Sequence, residues 1–269
     1  MSKRKSRHNK ITNVIFVLLE ILFILIFLYA AMQLYEIYRD YKIASEEYAA
    51  LAEDAVIEIP MDKKEENEEK EQSVLDLPYD YEIPSYDVDL ESLKAQNPDT
   101  VGWIILPDSR INYPIVKSKD NTEYLTTTFE GKTANSGSIF MDMYCSSDFS
   151  SQNTIIHGHN MKNGSMFRAL NNMTDKEYFW RHHIFCIDMG NEFEKYEVIS
   201  CYATTADDLS SWQIGFESQE SYEQWLKNIT NRSYYKYVNY DVNKKTVTLS
   251  TCRGQSGGTG RFIVHLQKK

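Results

Sequence analysis

The chain has 269 residues, of which 42% are hydrophobic and 13% aromatic, and its 39 acidic and 29 basic side chains give a formal net charge of −10. This composition excludes a disordered chain, a collagen and a disulfide-dense mini-protein, and the length allows one large domain or two small ones. Residues 1–10 carry five basic side chains and no acidic one, so the remainder carries −15. An acidic body of this kind argues against a nucleic-acid partner.

The first segment predicts a membrane anchor. Residues 11–32 are almost continuously apolar, close to the ~20 residues that a spanning helix needs, with Glu20 as the one charge. The basic tip at 1–10 precedes this span, so the positive-inside rule places the N-terminus in the cytoplasm and the rest of the chain outside. A cleaved signal peptide is disfavoured, because the apolar run is too long and Tyr29 occupies a position where cleavage requires a small residue.

A stalk and acidic linker are expected over residues 33–75. Residues 33–60 mix charges with spaced apolar side chains and favour a helix, whereas 61–73 have almost no apolar content and favour a solvated linker. We therefore expect the globular domain to occupy residues 76–269.

That domain is predicted to be mostly β, a closed eight-stranded β-barrel with peripheral helices. Eight short runs rich in Val, Ile, Thr, Tyr and Phe alternate with turn residues, at 101–106, 111–116, 137–142, 153–158, 183–188, 195–205, 245–252 and 261–267. Helices are predicted at Leu90–Gln96 after a capping Asp89, at Ser165–Asn171, and at Ser218–Ile229, where apolar residues recur at i, i+3, i+4 and i+7.

Four cysteines occur, Cys145, Cys186, Cys201 and Cys252. A hairpin turn at Gly190-Asn191 would place Cys186 opposite Lys195, which disfavours a disulfide with Cys201. The chain has no CxxC spacing, so zinc and thioredoxin chemistry lack their usual pattern. The first three cysteines are predicted to be small packing residues.

Cys252 differs, because it ends a strand before a glycine-rich loop and Arg261 opens the next strand. Antiparallel pairing around that loop would place Cys252 directly opposite Arg261, where a guanidinium can favour a thiolate and hold a developing oxyanion. A strand-end cysteine beside an unrelated arginine is an equally compatible interpretation. Arg253 is a competing cation, but its side chain should point to the other face.

A thiol nucleophile also needs a proton carrier. His157 and His159 flank Gly158 at a strand end, so either could partner Cys252. We expect His182 and His183 to be solvated and His265 to be structural. No nearby carboxylate or cysteine completes a metal site with the histidine pair, so no metal is predicted.

Several motifs resemble one family. TLSTC (248–252), with Arg261 nine residues later, resembles the active-site signature of sortases, the surface transpeptidases of Gram-positive bacteria, and HGHNMKNGSMF (157–167) resembles the segment carrying their catalytic histidine. NPDTVGWIIL, INYPIVKSKDNTEYL, GSIFMD and the helix at 218–229 are similar to the class B branch in particular. The resemblance covers about residues 90–269.

The resemblance implies a sortase-type β-barrel that cleaves an Asn/Ser-Pro-x-Thr sorting motif of exported proteins after Thr, through a thioacyl intermediate, and transfers them to a peptidoglycan cross-bridge or precursor amine. It assigns catalysis to Cys252, His159 and Arg261, and substrate binding to Asn121, Leu125 and Ser250, with Thr204 and Thr205 as looser candidates. It implies no cofactor. His157 departs from the family, which commonly has Tyr there, so its part in the groove is open.

Two alternatives compete with this interpretation. A peptidoglycan L,D-transpeptidase also uses cysteine and histidine, but it would need a His-Gly-Cys type of site in place of Ser-Thr-Cys-Arg. A membrane-tethered binding module would leave Cys252 as a packing residue. Thiol labelling and peptide cleavage distinguish the three.

Overall fold

The computed structural model describes residues 2–59, 83–117, 119–190, 192–236, 240–254 and 257–269, with side chains from residue 13 onward. The chain divides into two units, one ending at Ile43 and a compact one from Ala44 to Lys269. Most of the predicted acidic linker, 61–73, and Asn191 of the predicted turn lie outside the described residues.

A single helix, α1 (Ser2–Ala55), contains the predicted apolar segment. Its part from Asn13 onward is long and apolar enough to cross a membrane, and the side chains of its most apolar stretch are exposed. The structure therefore confirms an apolar N-terminal helix that is a candidate transmembrane span.

Ten strands and three further α-helices follow α1 in the described part of the chain. They are β1 (Val56–Ile59), β2 (Ser85–Val88), α2 (Leu90–Gln96), β3 (Thr100–Ile105), β4 (Asn112–Val116), β5 (Ile139–Met141), β6 (Asn153–Gly158), α3 (Lys176–Arg181), β7 (Ile184–Asp188), β8 (Phe193–Thr205), α4 (Gln219–Arg232), β9 (Thr246–Cys252) and β10 (Gly260–Lys268). Short 3-10 helices cover Glu123–Leu125, Phe167–Thr174 and Leu209–Trp212.

The predicted eight-stranded closed barrel is confirmed. Its strands follow the order β10-β8-β7-β3-β4-β5-β6-β9, and all eight predicted runs are strands of it. Two neighbouring pairs, β4–β5 and β6–β9, are parallel, and the other six are antiparallel. Fully buried aromatic side chains, among them Trp103, Phe185 and Phe262, fill the core.

The predicted strand registers are also confirmed. Cys186 lies opposite Lys195 in the β7–β8 pair, and Gly190 at the turn has the positive φ of +111° that glycine tolerates. Cys252 lies opposite Arg261 in the β9–β10 pair, and Thr248 lies opposite His265. Antiparallel geometry makes these pairs a direct consequence of where each loop is placed.

The helices follow their local signals. The Asp89 carboxylate accepts the Ser92 N–H at 2.9 Å and caps α2, and Ser218 forms a capping box with Ser221 at the start of α4. The predicted apolar stripe of α4 is buried against Ile199 and Ile263 of the barrel. The predicted helical turn at Ser165–Asn171 is the 3-10 helix Phe167–Thr174.

Two predicted environments are wrong. His182, which we expected to be solvated, is buried with its ring stacked 4.0 Å from that of Tyr178. The His183 side chain, also expected to be solvated, is only 12% exposed, and its burial lowers its pKa. His182 is the C-cap of α3, a short helix with Asp175 at its N-cap that we did not predict. The sequence did not predict this packing, because the charged residues around His182 are typical of an exposed segment.

The compact unit begins earlier than the composition suggests. Ala44, Tyr48, Leu51 and Ala55 of α1 are buried within it, and α1 is followed by β1, which pairs with β2. These residues recur at i, i+4, i+7 and i+11, which is one helix face. Residues 44–59 pack with the barrel, although we expected them in the stalk. The sequence did not indicate this apolar face, because charged residues are mixed with it along the segment.

Candidate active site

A cleft of about 370 Å³ opens where β6, β9 and β10 end or begin. It is lined by Asn121, Leu125, Phe140, Asp142, His157, Gly158, His159, Ala206, Leu209, Trp212, Ser250, Thr251, Cys252 and Arg261. The structure therefore brings together all the sequence-predicted site residues except the looser candidates Thr204 and Thr205, which end β8 and lie outside this lining.

The cysteine and arginine face each other at the mouth of the β9–β10 hairpin. Cys252 is half-buried, and its carbonyl accepts a hydrogen bond from Asn171 Nδ2 at 3.3 Å. Arg261 Nη1 donates to the Gly258 and Gly260 carbonyls at 3.1 and 2.9 Å. Within the described part of the chain, none of the ion pairs involves Arg261.

Arg253, the competing cation, is directed elsewhere. Its guanidinium donates to the Tyr234 hydroxyl at 2.9 Å and lies 5.7 Å from the centre of the Phe262 ring. It does not line the cleft. The alternation of side chains along an extended segment accounts for this difference from Cys252.

The two histidines are placed by the parallel pairing of β6 with β9. His157 lies opposite Ser250 and Gly158 opposite Thr251, so the end of β6 reaches the strand that carries Cys252. His159 follows, and its Nε2 lies 2.8 Å from the Leu125 carbonyl oxygen. Because a carbonyl can only accept, Nε2 carries a proton, and Nδ1 is the nitrogen left for proton exchange.

His157 belongs to a different cluster within the cleft. Its Nε2 lies 3.1 Å from Asp142 Oδ2, which also accepts from Asn121 Nδ2 at 2.8 Å. Burial acts to raise the Asp142 pKa, but hydrogen bonds from His157, the Tyr144 N–H and Asn121 outweigh it and hold that pKa below its usual value. His157 thus pairs with a carboxylate, whereas His159 pairs with a backbone carbonyl.

Another wall of the cleft is formed by the connection between β8 and α4. The sequence did not indicate this contribution. Trp212 Nε1 donates to Ser250 Oγ at 3.4 Å, and the Leu209 side chain is 80% exposed at the lip. Asp142 was also missed, although it follows β5 as directly as His159 follows β6. Thr204 Oγ1 donates to Asp208 at 2.6 Å.

The remaining cysteines are distinct from Cys252. Cys145, Cys186 and Cys201 are buried free thiols, and burial raises their pKa values to about 11, 11 and 12. They are the packing residues that the sequence predicted.

His265 is the structural histidine that the sequence predicted. It hydrogen-bonds Tyr202 and Thr248 in the core, and burial lowers its pKa to about 3. Among the described residues, no group of three or more His, Cys, Asp or Glu side chains could hold a metal ion.

Comparison with known proteins identifies one family. The profile of the Sortase domain family matches residues 104–269. Sortase B of Listeria monocytogenes is 35% identical over 178 residues (65% of this chain, 72% of that protein), and sortase B of Staphylococcus aureus is 35% identical over 181 residues (66% and 73%). The solved sortase B of B. anthracis superposes with a TM-score of 0.68 at 32% identity, covering 86% of this chain and 99% of that one.

Proposed function

Since the chain belongs to the sortase family and is a class B cysteine transpeptidase, we propose that Cys252, His159 and Arg261 are its catalytic residues. The observation that carries this proposal is the pairing of Cys252 with Arg261 across β9–β10, in a cleft that His159 also lines. A permanent cation on the strand opposite the thiol is placed to stabilise the oxyanion that forms during acyl transfer.

These positions support the following reaction. The Cys252 thiolate attacks the carbonyl carbon after Thr in the sorting motif, and the Arg261 guanidinium stabilises the oxyanion that forms. His159 gives a proton to the departing amine, which leaves a thioacyl enzyme. An incoming amine then attacks the thioester, returns its proton to His159 and releases Cys252 as thiolate, so no proton or electron is left over.

The partners are proposed from the family. Sortase B of Staphylococcus aureus has been solved with its substrate, and a further sortase B structure contains triglycine, a peptide with a free amine. We expect an Asn/Ser-Pro-x-Thr sorting peptide of exported proteins as the acyl donor and a peptidoglycan cross-bridge or precursor amine as the acceptor. Asn121, Leu125, His157 and Ser250 line the cleft and would contact the peptide, and Thr205 would do so from beyond its edge.

The same proposal sets the topology. Residues 1–10 would be the cytoplasmic tip and 11–32 the single membrane span. Of the expected stalk and linker at 33–75, residues 44–59 belong to the compact unit, and the catalytic domain would lie outside the cell. The basic tip before an apolar helix supports this orientation.

Cleavage of a fluorogenic NPxT or SPxT peptide by the full chain in detergent tests the proposal. Cys252→Ala should abolish both cleavage and the thioacyl adduct seen by mass spectrometry. His159→Ala should lower kcat/KM about 10²-fold or more, as loss of a general acid does. Arg261→Lys should also be severely impaired, because lysine lacks the planar guanidinium.

Cys186→Ala is the matched control, since it removes a buried thiol remote from the cleft and should keep the wild-type adduct. Wild-type cleavage by Cys252→Ala would refute the nucleophile assignment. A larger loss for His157→Ala than for His159→Ala would reassign the proton carrier.

A further inference from the structure

The end of α1 is hydrogen-bonded to the loop between β4 and β5. The Tyr48 hydroxyl lies 2.8 Å from the Gly137 carbonyl oxygen and 3.0 Å from Ser138 Oγ, and it accepts the Phe129 N–H at 3.3 Å. Tyr48 itself is only 5% exposed. One hydroxyl therefore joins two separate parts of that loop.

The preceding residue holds the same loop by its charge. The Glu47 side chain is fully buried. Its two oxygens accept from Thr128 Oγ1 and from the Glu130 N–H, each at 2.9 Å, and Lys132 Nζ lies 3.4 Å away. A buried carboxylate with these partners is costly to disturb, so the loop is fixed to α1 at adjacent positions.

The point that Tyr48 holds is in direct contact with the partner of His159. Gly137 has a φ of +53°, and a Cβ placed on it would lie 2.2 Å from the Tyr124 carbonyl oxygen and 2.7 Å from that of Leu125. The Leu125 oxygen is the atom that lies 2.8 Å from His159 Nε2. The neighbouring Ser138, which the Tyr48 hydroxyl also contacts, donates its N–H to the Tyr124 carbonyl at 2.9 Å. The Tyr48 hydroxyl is therefore connected through Gly137 and Ser138 with the chain at Tyr124 and Leu125, whose carbonyl orients the imidazole.

From this path we infer that Tyr48 and Glu47 are positioning residues for His159. By holding the β4–β5 loop, they fix the Leu125 carbonyl, which in turn fixes the ring orientation and keeps the proton on Nε2. Partners one step removed from a reacting group commonly set its geometry and its tautomer. The inference rests on the proposed role of His159. It assigns to the last turns of α1 a role in orienting the active-site histidine.

Steady-state cleavage by the full chain in detergent tests this inference. Tyr48→Phe removes the hydroxyl and keeps the ring, so kcat should fall about 5-fold, the effect of one net hydrogen bond, while KM stays within about 2-fold. Glu47→Gln should act in the same direction. Glu53→Gln, an exposed change on the same helix, is the matched control and should leave both constants unchanged.

A double-mutant cycle separates positioning from general stability. In the His159→Ala background, single-turnover acylation of Cys252 should change less than about 2-fold on adding Tyr48→Phe, because the residue that Tyr48 positions is gone. The same loss in both backgrounds, or no loss in the wild-type background for either Tyr48→Phe or Glu47→Gln, would overturn the inference. Full activity of His159→Ala would instead refute the proposed role of that histidine.

Discussion

Gly158 separates the two histidines of the cleft, and the packing around it leaves no room for a side chain. A Cβ at this position would lie 2.5 Å from Ile139 Cδ1 and 2.6 Å from Phe167 Cδ2. The isoleucine can turn aside, but the Phe167 ring is fully buried and also lies against the glycine through its Cγ. Only a glycine at this position lets the end of β6 lie this close to Ile139 and Phe167.

Gly158→Ala should therefore lower the free energy of unfolding by about 1–3 kcal/mol, the usual cost of overfilling a core, and should reduce cleavage by displacing His159. Urea unfolding followed by tryptophan fluorescence measures the first effect and peptide cleavage the second. Gly215→Ala is the control, because nothing described lies within 4 Å of a Cβ there. Equal stability of the two variants would show that Phe167 can move aside.

At this scale, some site residues followed from spacing and others did not. The pairing of Cys252 with Arg261 could be counted from the loop, because antiparallel register is fixed once the turn is placed. The contact of Asp142 with His157 could not be counted in this way, because it depends on how β5 and β6 pair across the intervening loop 142–152. The contact of Trp212 with Ser250 joins residues 38 apart, which no local pattern encodes.

At the scale of elements, the connection from β8 to α4 is held by one carboxylate. Asp208 accepts hydrogen bonds from Thr204, Ser210 and Ser211 and pairs with Arg232 of α4. The Arg232 guanidinium also lies 4.1 Å from the centre of the Tyr202 ring. This cluster fixes the segment whose members Ala206, Leu209 and Trp212 form one wall of the cleft.

Asp208 should make stability depend on pH. Burial acts to raise its pKa, but hydrogen bonds from Ser210, Thr204, Arg232 and Ser211 prevail and hold it far below the usual value. A carboxyl with a lowered folded-state pKa stabilises the fold above its unfolded pKa, about 3.9, and loses that contribution as the pH falls towards the folded value.

Asp208→Asn should therefore lower the free energy of unfolding by about 1–3 kcal/mol at pH 7, the cost of a lost charged hydrogen-bond partner. Its difference from wild type should shrink as the pH falls from about 5 to 2. Urea unfolding at several pH values measures this, with the exposed Asp54→Asn as control. A difference that stays constant with pH would show that the Asp208 charge does not stabilise the wall.

Elements with strong local patterns were predictable, and those defined by distant partners were not. The strands of the barrel and α4 were indicated by β-type runs and a four-residue apolar stripe. β1 and β2 are each four residues long and pair with one another from either side of a charged segment. Their pairing depends on α1 reaching the barrel, which composition does not reveal.

At the scale of the whole molecule, the compact unit includes residues that precede the acidic linker. Tyr48 and Leu51 are each 5% exposed, and β1 gives β2 its ladder partner. A boundary drawn at 76 from composition would remove all of these contacts from the domain.

Chains that begin at residues 44 and 76 should consequently differ in stability. Each large buried side chain contributes about 1.5–3 kcal/mol, so losing Tyr48 and Leu51 should lower the urea midpoint clearly. A chain beginning at residue 33 is the control and should match the one beginning at 44. Equal midpoints for the starts at 44 and 76 would show that residues 44–59 contribute little.

The closure of the barrel also sets an order of events during synthesis. β9 and β10 follow the other six barrel strands in the chain, and they pair with β6 and β8, which are made much earlier. Such long-range pairings form late, because the intervening loop must first be closed. The barrel therefore cannot close until β10 has been made, and the same closure brings Cys252 and Arg261 to the cleft. A nascent chain that ends before β10 lacks the closed cleft that Cys252 lines, so we expect activity only when both strands have been made.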